Sequence, residues 1–179
     1  MGGNDKGLIE LNGRPMIAHV IDGLKPQVET IMINANRNIE IYKNFGYDVL
    51  KDQLGDYQGP LAGFASGLEH CRTEYLVTAP CDGPFLSEDY VGRLHRAALD
   101  QNARISVAHD GQRLQPVYAL IHASLLPTLL DFLSTGDRKI DRWYESAHYA
   151  KADFSDNHKM FTNVNTPEEL TDVSQTLTD

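Results

Sequence analysis

Short apolar runs alternate with segments whose apolar residues recur at helical spacing along most of the chain. After Pro15 the apolar positions are three and four apart, which predicts an amphipathic helix with Pro15 as its first residue. A second such pattern begins at Pro60 and extends to about Cys71. The runs 30–33 and 74–78 are rich in β-branched and other apolar residues and are predicted to be strands.

The same alternation continues through the rest of the chain. Further helices are predicted over 37–44, over 87–101 with Ser87 as its cap, over 124–134 and 138–146, and after Thr166. Further strands are predicted over 47–50, 105–108, 117–121 and 149–154. This order predicts a single α/β domain over residues 1–179, with a three-layer α/β/α fold and a mostly parallel sheet. The Asp110-Gly111 turn joins two strands directly, so an antiparallel patch is expected there and the sheet is mixed.

The charge balance excludes several classes of protein. The 179 residues contain 16 Lys and Arg against 25 Asp and Glu, a formal net charge of −9. Such a surface argues against a general nucleic-acid or membrane-surface binder, because phosphate backbones are bound by basic patches. Two cysteines are too few for a disulfide framework, and no apolar run approaches the length of a membrane span. With no signal-peptide pattern at its start, the chain is expected to be cytoplasmic.

Polar residues end several of the predicted strands. In open α/β sheets, ligands bind in the crevice outside the carboxyl ends of the strands. Four segments that are distant in the chain place Asn34, Asp52, Asp82 and the pair Asn163 and Asn165 at this edge. Asn and Asp also initiate turns, and this simpler interpretation holds for any one of them alone.

The most specific of these candidates is Asp82, which follows an apolar run and precedes Gly83. A carboxylate in this place is a typical Mg²⁺ ligand, since Mg²⁺ binds one or two protein carboxylates together with substrate phosphates. The alternative is an Asx turn into Gly83. The neighbouring Cys81 has no histidine nearby in the sequence and is interpreted as a buried strand-end residue, not a nucleophile.

Two glycine clusters have the composition of phosphate-binding loops. Residues 2–7 contain three glycines and Lys6. The backbone N–H groups of the glycines and the ammonium of Lys6 would bind an anion. The second cluster has Gly59 and Gly63 at the start of a helix, where free N–H groups favour anions. The alternatives are a flexible terminus for the first cluster and close helix packing for the second.

At this point the motifs resemble those of the molybdenum cofactor guanylyltransferase family. Residues 1–8, Met-Gly-Gly-Asn-Asp-Lys-Gly-Leu, are similar to the second half of that family's nucleotidyltransferase signature. Five further segments resemble the family in the same order, namely 11–15, 34–37, 59–63, 80–82 and 163–170.

The resemblance implies a Rossmann-like nucleotidyltransferase fold. The implied reaction transfers GMP from GTP to the phosphate of molybdopterin or the molybdenum cofactor, with release of pyrophosphate. The implied GTP contacts are Lys6, Asn34, Asp52, Gly59, Gly63 and Asp82. Lys6 and Asp82 are the implied catalytic residues, and Asp82 also binds Mg²⁺. Asn163 and Asn165 are implied to face the pterin.

The first half of the family signature, a strand that leads into Leu-Ala-Gly-Gly, is not in the printed sequence. In a βαβ unit, the helix after Pro15 should return from such a strand. A protein made strictly from Met1 is therefore expected to have little activity and low stability, and to recover both when the upstream strand and loop are present.

Other functions remain open at this point. The closest alternatives are a molybdopterin cytidylyltransferase and a sugar-phosphate nucleotidyltransferase. An alternative of another class is a non-catalytic nucleotide- or cofactor-binding protein. The expected partners are GTP, molybdopterin or molybdenum cofactor, and other proteins of molybdenum cofactor biosynthesis, with no nucleic acid and no membrane.

Overall fold

The structure is a computed structural model that describes residues 5–52 and 59–162. Its strands are β1 Glu10–Leu11, β2 Arg14–Pro15, β3 Met32–Asn34, β4 Asp48–Leu50, β5 Tyr75–Thr78, β6 Ile105–His109, β7 Leu114–His122 and β8 Tyr149–Asp153. Its α-helices are α1 Met16–Leu24, α2 Ile39–Lys43, α3 Pro60–His70, α4 Tyr90–Asp100, α5 Leu126–Ser134 and α6 Ile140–Ala147. One-turn 3-10 helices are Lys6–Leu8, Ala123–Leu125 and His158–Phe161. Within these described ranges, no helix is long and apolar enough to cross a membrane.

The strands form a mixed sheet, as the sequence pattern predicts. The larger part has the order β5-β7-β6-β8, in which β7 is antiparallel to both neighbours and β8 is parallel to β6. Strands β3 and β4 form a separate parallel pair, and β1 and β2 a small antiparallel one. The predicted antiparallel patch is confirmed, because the Asp110 carboxylate accepts hydrogen bonds from the N–H groups of Gln112 and Arg113 and closes the β6–β7 turn.

The helices cover both faces of the sheet, which gives the three predicted layers. Along β7, Ala119 and Ile121 face a cluster formed with α3, α5 and α6. The alternate residues Tyr118 and Leu120 face a second cluster formed with α4. Helices α1 and α2 pack on β3 and β4, and α1 lies beside α4, where Gln27 donates to the Ser87 carbonyl. The predicted α/β/α architecture is therefore confirmed.

Two predicted helix starts are wrong. Pro15 lies in β2 and immediately precedes α1, which begins at Met16, because residues 14–15 pair with residues 10–11. The helix assigned to a Ser87 cap begins at Tyr90, and Asp89 occupies the capping position. The Ser87 hydroxyl bonds the Asp89 carboxylate and not the helix backbone. The helix predicted after Thr166 lies outside the described residues.

A gap separates the parallel β3–β4 pair from the four-stranded mixed sheet. Among the described residues, β3 pairs only with β4 and β5 pairs only with β7, so one edge of each has no strand partner. Both edges border the same cavity of about 600 Å³, which α1 and α3 also line.

Candidate active site

The first group of site residues surrounds the Asp52 carboxylate. Asn34 ends β3, and its side-chain amide donates to Asp52 Oδ1 at 2.9 Å. The Asn36 amide donates to Asp52 Oδ2 at 2.7 Å, and the backbone N–H of Asp52 donates back to Asn36 Oδ1 at 3.0 Å. The predicted meeting of Asn34 and Asp52 is confirmed, and each carboxylate oxygen is bonded by one amide. Asn36 was missed as a site residue, although it lies in a segment that carries the resemblance.

Helix α3 approaches this group closely through a glycine. A Cβ on Gly63 would lie 2.7 Å from the Asn34 amide nitrogen and 3.8 Å from Asp52 Oδ1. Gly59 precedes α3 with φ of 69°, a backbone conformation that L side chains rarely adopt. The close approach to Asn34 therefore requires a residue without a side chain at position 63, and the start of α3 lies at the edge where Asn34 and Asp52 meet.

The second group pairs Lys6 with Asp82. Lys6 begins the 3-10 turn and Asp82 lies in the turn after β5, with 3.5 Å between Lys6 Nζ and Asp82 Oδ2. The Asp82 side chain is 16% exposed and that of Lys6 is 47% exposed. The structure therefore brings Lys6 of the first glycine cluster to the strand end that the sequence pattern predicts to bind Mg²⁺.

Cys81 has the properties of a packed thiol. Burial, with a smaller contribution from the charge of Asp82, raises the pKa of the Cys81 thiol to about 11. A thiol with this pKa is protonated at neutral pH and is a poor nucleophile. The Cys81 side chain also packs against the core cluster of α1, α2 and β3, so its interpretation as a structural residue stands.

Tyr118 connects the Asp82 loop to the last described segment. A Cβ on Gly83 would collide with the Tyr118 hydroxyl, so only glycine fits beside Asp82. That hydroxyl donates to the Met160 carbonyl at 3.1 Å. Burial and the charge of Asp82 raise the pKa of Tyr118 above its ordinary value, which keeps the hydroxyl a donor. Asn163 and Asn165 follow this segment in the chain and lie outside the described residues.

A cavity borders the first group and reaches the residues next to the second. The cavity of about 600 Å³ between β3 and β5 is lined by Asn34, Gly59 and Gly63 from the first group and by Pro80 and Cys81 next to the second. All of these residues lie at or beyond the carboxyl ends of β3 and β5, or at the start of α3. The cavity also runs along α1 and the length of β3 and β5, and its end at these residues corresponds to the place where an open α/β sheet binds its ligand.

The single carboxylate of Asp82 fits Mg²⁺ better than a metal ion whose ligands all come from protein side chains. In the ranges 5–52 and 59–162, no three His, Cys, Asp or Glu side chains are arranged as a metal cluster. Mg²⁺ keeps several waters and binds one or two carboxylates together with substrate phosphates. The mostly buried carboxylate of Asp82, with the Lys6 ammonium beside it, matches that mode of binding.

The chain is similar to known proteins over nearly all of its length. It is 47% identical over 177 residues to the molybdenum cofactor guanylyltransferase of Shewanella piezotolerans, covering 99% of this chain and 87% of the relative. The enzyme of the same name from Vibrio cholerae is 48% identical over 170 residues, covering 95% and 83% of the two chains.

Solved structures show the same fold at lower identity. Molybdopterin-guanine dinucleotide biosynthesis protein A from Archaeoglobus fulgidus has a TM-score of 0.79 at 20% identity, covering 98% of this chain and 92% of that one. The 2-C-methyl-D-erythritol 4-phosphate cytidylyltransferase of Thermus thermophilus has a TM-score of 0.75 at 14% identity, covering 99% and 95%. The predicted nucleotidyltransferase fold is therefore confirmed.

The family model for the MobA-like NTP transferase domain matches residues 1–152. That range contains both contact groups described above, the Asn34–Asp52 group and the Lys6–Asp82 pair. The predicted family is confirmed by this match and by the relatives: the chain belongs to the MobA-like NTP transferases.

Proposed function

We propose that this protein transfers GMP from GTP to the phosphate of molybdopterin or the molybdenum cofactor and releases pyrophosphate. The observation that most supports this is the pairing of Lys6 with Asp82 just beyond the carboxyl end of β5, next to the cavity that Asn34 lines. Relatives that are 47% and 48% identical to this chain in sequence are named molybdenum cofactor guanylyltransferases. GTP and the pterin substrate are thus the proposed small-molecule partners, and the cytoplasm, where GTP is made, is the proposed location.

The reaction needs placement and charge neutralisation more than covalent chemistry. We propose that the substrate phosphate attacks the α-phosphorus of GTP in line, and that pyrophosphate leaves. A phosphate oxygen is already ionised at neutral pH, so the site needs no general base. Lys6 would bind the triphosphate and neutralise part of its charge, and Asp82 would hold Mg²⁺. When bound, Mg²⁺ would neutralise charge that builds on the phosphate oxygens.

The nucleotide is proposed to occupy the Asn34–Asp52 side of the cavity. Asn34 and Asp52 contact GTP there, and Gly59 and Gly63 let the start of α3 lie close to it. Asn163 and Asn165 are proposed to contact the pterin. Their segment follows Met160, which the Tyr118 hydroxyl ties to the Asp82 loop.

The fold alone does not distinguish GTP from CTP, since a cytidylyltransferase shares it. Calorimetric titration with GTP, CTP and ATP, each with and without Mg²⁺, separates these nucleotides. We expect GTP to bind at least about tenfold more tightly than CTP or ATP, a difference of about 1.4 kcal/mol. Equal or tighter binding of CTP would favour the cytidylyltransferase alternative.

A matched pair of variants tests the location of the nucleotide. Asp52→Asn removes the charge that Asn34 and Asn36 bind, whereas Asp48→Asn removes an exposed charge from the opposite end of the same strand. We expect only Asp52→Asn to weaken GTP binding. Equal effects of the two variants would contradict the proposed nucleotide position. Pyrophosphate release in the presence of molybdopterin then separates an enzyme from a non-catalytic binding protein.

A further inference from the structure

The turn that presents Lys6 is fixed by the residue before it. Asp5 precedes the 3-10 turn, and the Leu8 N–H closes that turn on the Asp5 carbonyl at 3.1 Å. The two oxygens of the Asp5 carboxylate accept from different donors: Oδ1 from the Tyr42 hydroxyl at 2.6 Å and Oδ2 from the Asn38 amide at 3.2 Å. Both donors belong to α2 or its N-terminal flank, so the Lys6 turn is attached to a separate part of the fold.

Tyr42 is a rigid anchor for this contact. Its side chain is 3% exposed and packs with Ile17, Ile21 and Ile33 in the core cluster between α1, α2 and β3. Burial, followed by the hydrogen bond to Asp5, raises the pKa of Tyr42 well above its ordinary value. The hydroxyl therefore keeps its proton at neutral pH and donates to Asp5.

The same hydroxyl also limits the position of Gly7. A Cβ on Gly7 would lie 2.8 Å from the Tyr42 oxygen and 3.0 Å from both Cβ and Sγ of Cys81. The backbone that follows Lys6 is therefore enclosed between Tyr42 and the residue immediately before Asp82. Tyr42 thus bonds the residue before Lys6 and limits the space at the residue after it. Gly7 lies between the Tyr42 hydroxyl and Cys81, which immediately precedes Asp82.

We propose that Tyr42 is a positioning residue for nucleotidyl transfer, whose hydroxyl, through Asp5 and Gly7, sets the location of Lys6 relative to Asp82. Tyr42 does not itself contact the substrate in this proposal. The inference rests on the proposed function of Lys6 and Asp82. It assigns the positioning of Lys6 relative to Asp82 to a side chain of the core.

The first test measures the turn directly in the 179-residue chain. Tyr42→Phe keeps the ring in the core and removes only the oxygen. Tyr47→Phe is the matched control, because Tyr47 packs against the same cluster and makes no hydrogen bond to Asp5. Amide hydrogen exchange at Leu8 and Ile9, which close the Lys6 turn, is the readout.

We expect Tyr42→Phe to speed exchange at Leu8 and Ile9 by about tenfold, with β6 and α3 unchanged, and Tyr47→Phe to leave all of these unchanged. A general loss of stability would speed exchange throughout the core instead. Unchanged exchange at the turn in Tyr42→Phe, or acceleration everywhere, would overturn the inference.

The second test asks whether Tyr42 acts through Lys6. Calorimetry of Mg²⁺–GTP binding is compared for wild type, Tyr42→Phe, Lys6→Ala and the double variant. We expect each single variant to weaken binding by about tenfold or more, since small misplacements of a binding group cost this much. The double variant should bind no more weakly than Lys6→Ala, because in this proposal Tyr42 affects the nucleotide through Lys6.

The outcomes separate this inference from the proposed function. Additive losses in the double variant would show that Tyr42 does not act through Lys6, which overturns the inference and leaves the proposed function intact. Normal GTP binding by Lys6→Ala would overturn the proposed role of Lys6, and the inference with it. As a second variant, Asn38→Gly preserves the positive φ of Asn38 and removes the weaker donor, so its effect should be smaller than that of Tyr42→Phe.

Discussion

Substituting Gly63 by alanine should separate the stability of the fold from the affinity for GTP. The added Cβ would lie 2.7 Å from the Asn34 amide nitrogen, closer than nonbonded atoms tolerate, so Asn34 has to move. Asn34 is exposed and can swing away, but it then gives up its 2.9 Å hydrogen bond to Asp52. A net loss of about 1 kcal/mol is reasonable for such a bond at a solvent-exposed position.

Two opposing terms decide the stability of this variant. Alanine is better than glycine by about 1 kcal/mol in a helix interior, which offsets the lost hydrogen bond. We therefore expect the free energy of unfolding to stay within about 1 kcal/mol of wild type. The gain in helix stability does not compensate for the disturbed Asn34–Asp52 arrangement in GTP binding. The affinity for GTP should therefore fall about tenfold, or about 1.4 kcal/mol.

Gly92→Ala in α4 is the matched control. A Cβ there meets nothing within 4 Å, so the substitution should stabilise the protein by up to about 1 kcal/mol and leave GTP binding unchanged. Denaturant unfolding and calorimetry measure the two quantities. The reasoning is refuted if Gly63→Ala stabilises the protein as much as Gly92→Ala and binds GTP within twofold of wild type.

Three further variants test other parts of the account. Asp82→Ala should lower the rate by about two to three decades, roughly 2.7–4 kcal/mol, and turnover above a tenth of wild type at saturating Mg²⁺ would contradict the metal assignment. Asn163→Asp or Asn165→Asp should weaken pterin binding and leave GTP affinity within about threefold, under 1 kcal/mol; a large loss of GTP affinity in calorimetry would contradict this division.

Much of the fold follows from apolar spacing. Helix α3 has its predicted start at Pro60, and β6, β7 and β8 lie where alternating or continuous apolar runs predict them, because burial of these residues dominates the local preferences. The helix starts near Pro15 and Ser87 were wrong because pairing of residues 10–15 and the Ser87–Asp89 contact depend on neighbours that are not visible in local sequence.

The site could be predicted only in part. Strand-end position correctly indicated that Asn34 and Asp52 meet, since the ends of parallel neighbours lie side by side. The pairing of Lys6 with Asp82 follows from the resemblance but not from spacing, because it joins distant loops. Tyr42 lies at an inward position of a short helix, and no pattern shows that its hydroxyl reaches Asp5.

The central claim is transfer of a nucleotidyl group, and the fate of the two labelled phosphates of GTP tests it most directly. The protein is incubated with molybdopterin, Mg²⁺ and GTP that is labelled either in the α-phosphate or in the γ-phosphate. The account predicts that the α-label enters the pterin product and that the γ-label is released in pyrophosphate, in equal amounts. Transfer of the γ-label to the pterin, or an α-label that remains in GDP, would contradict it.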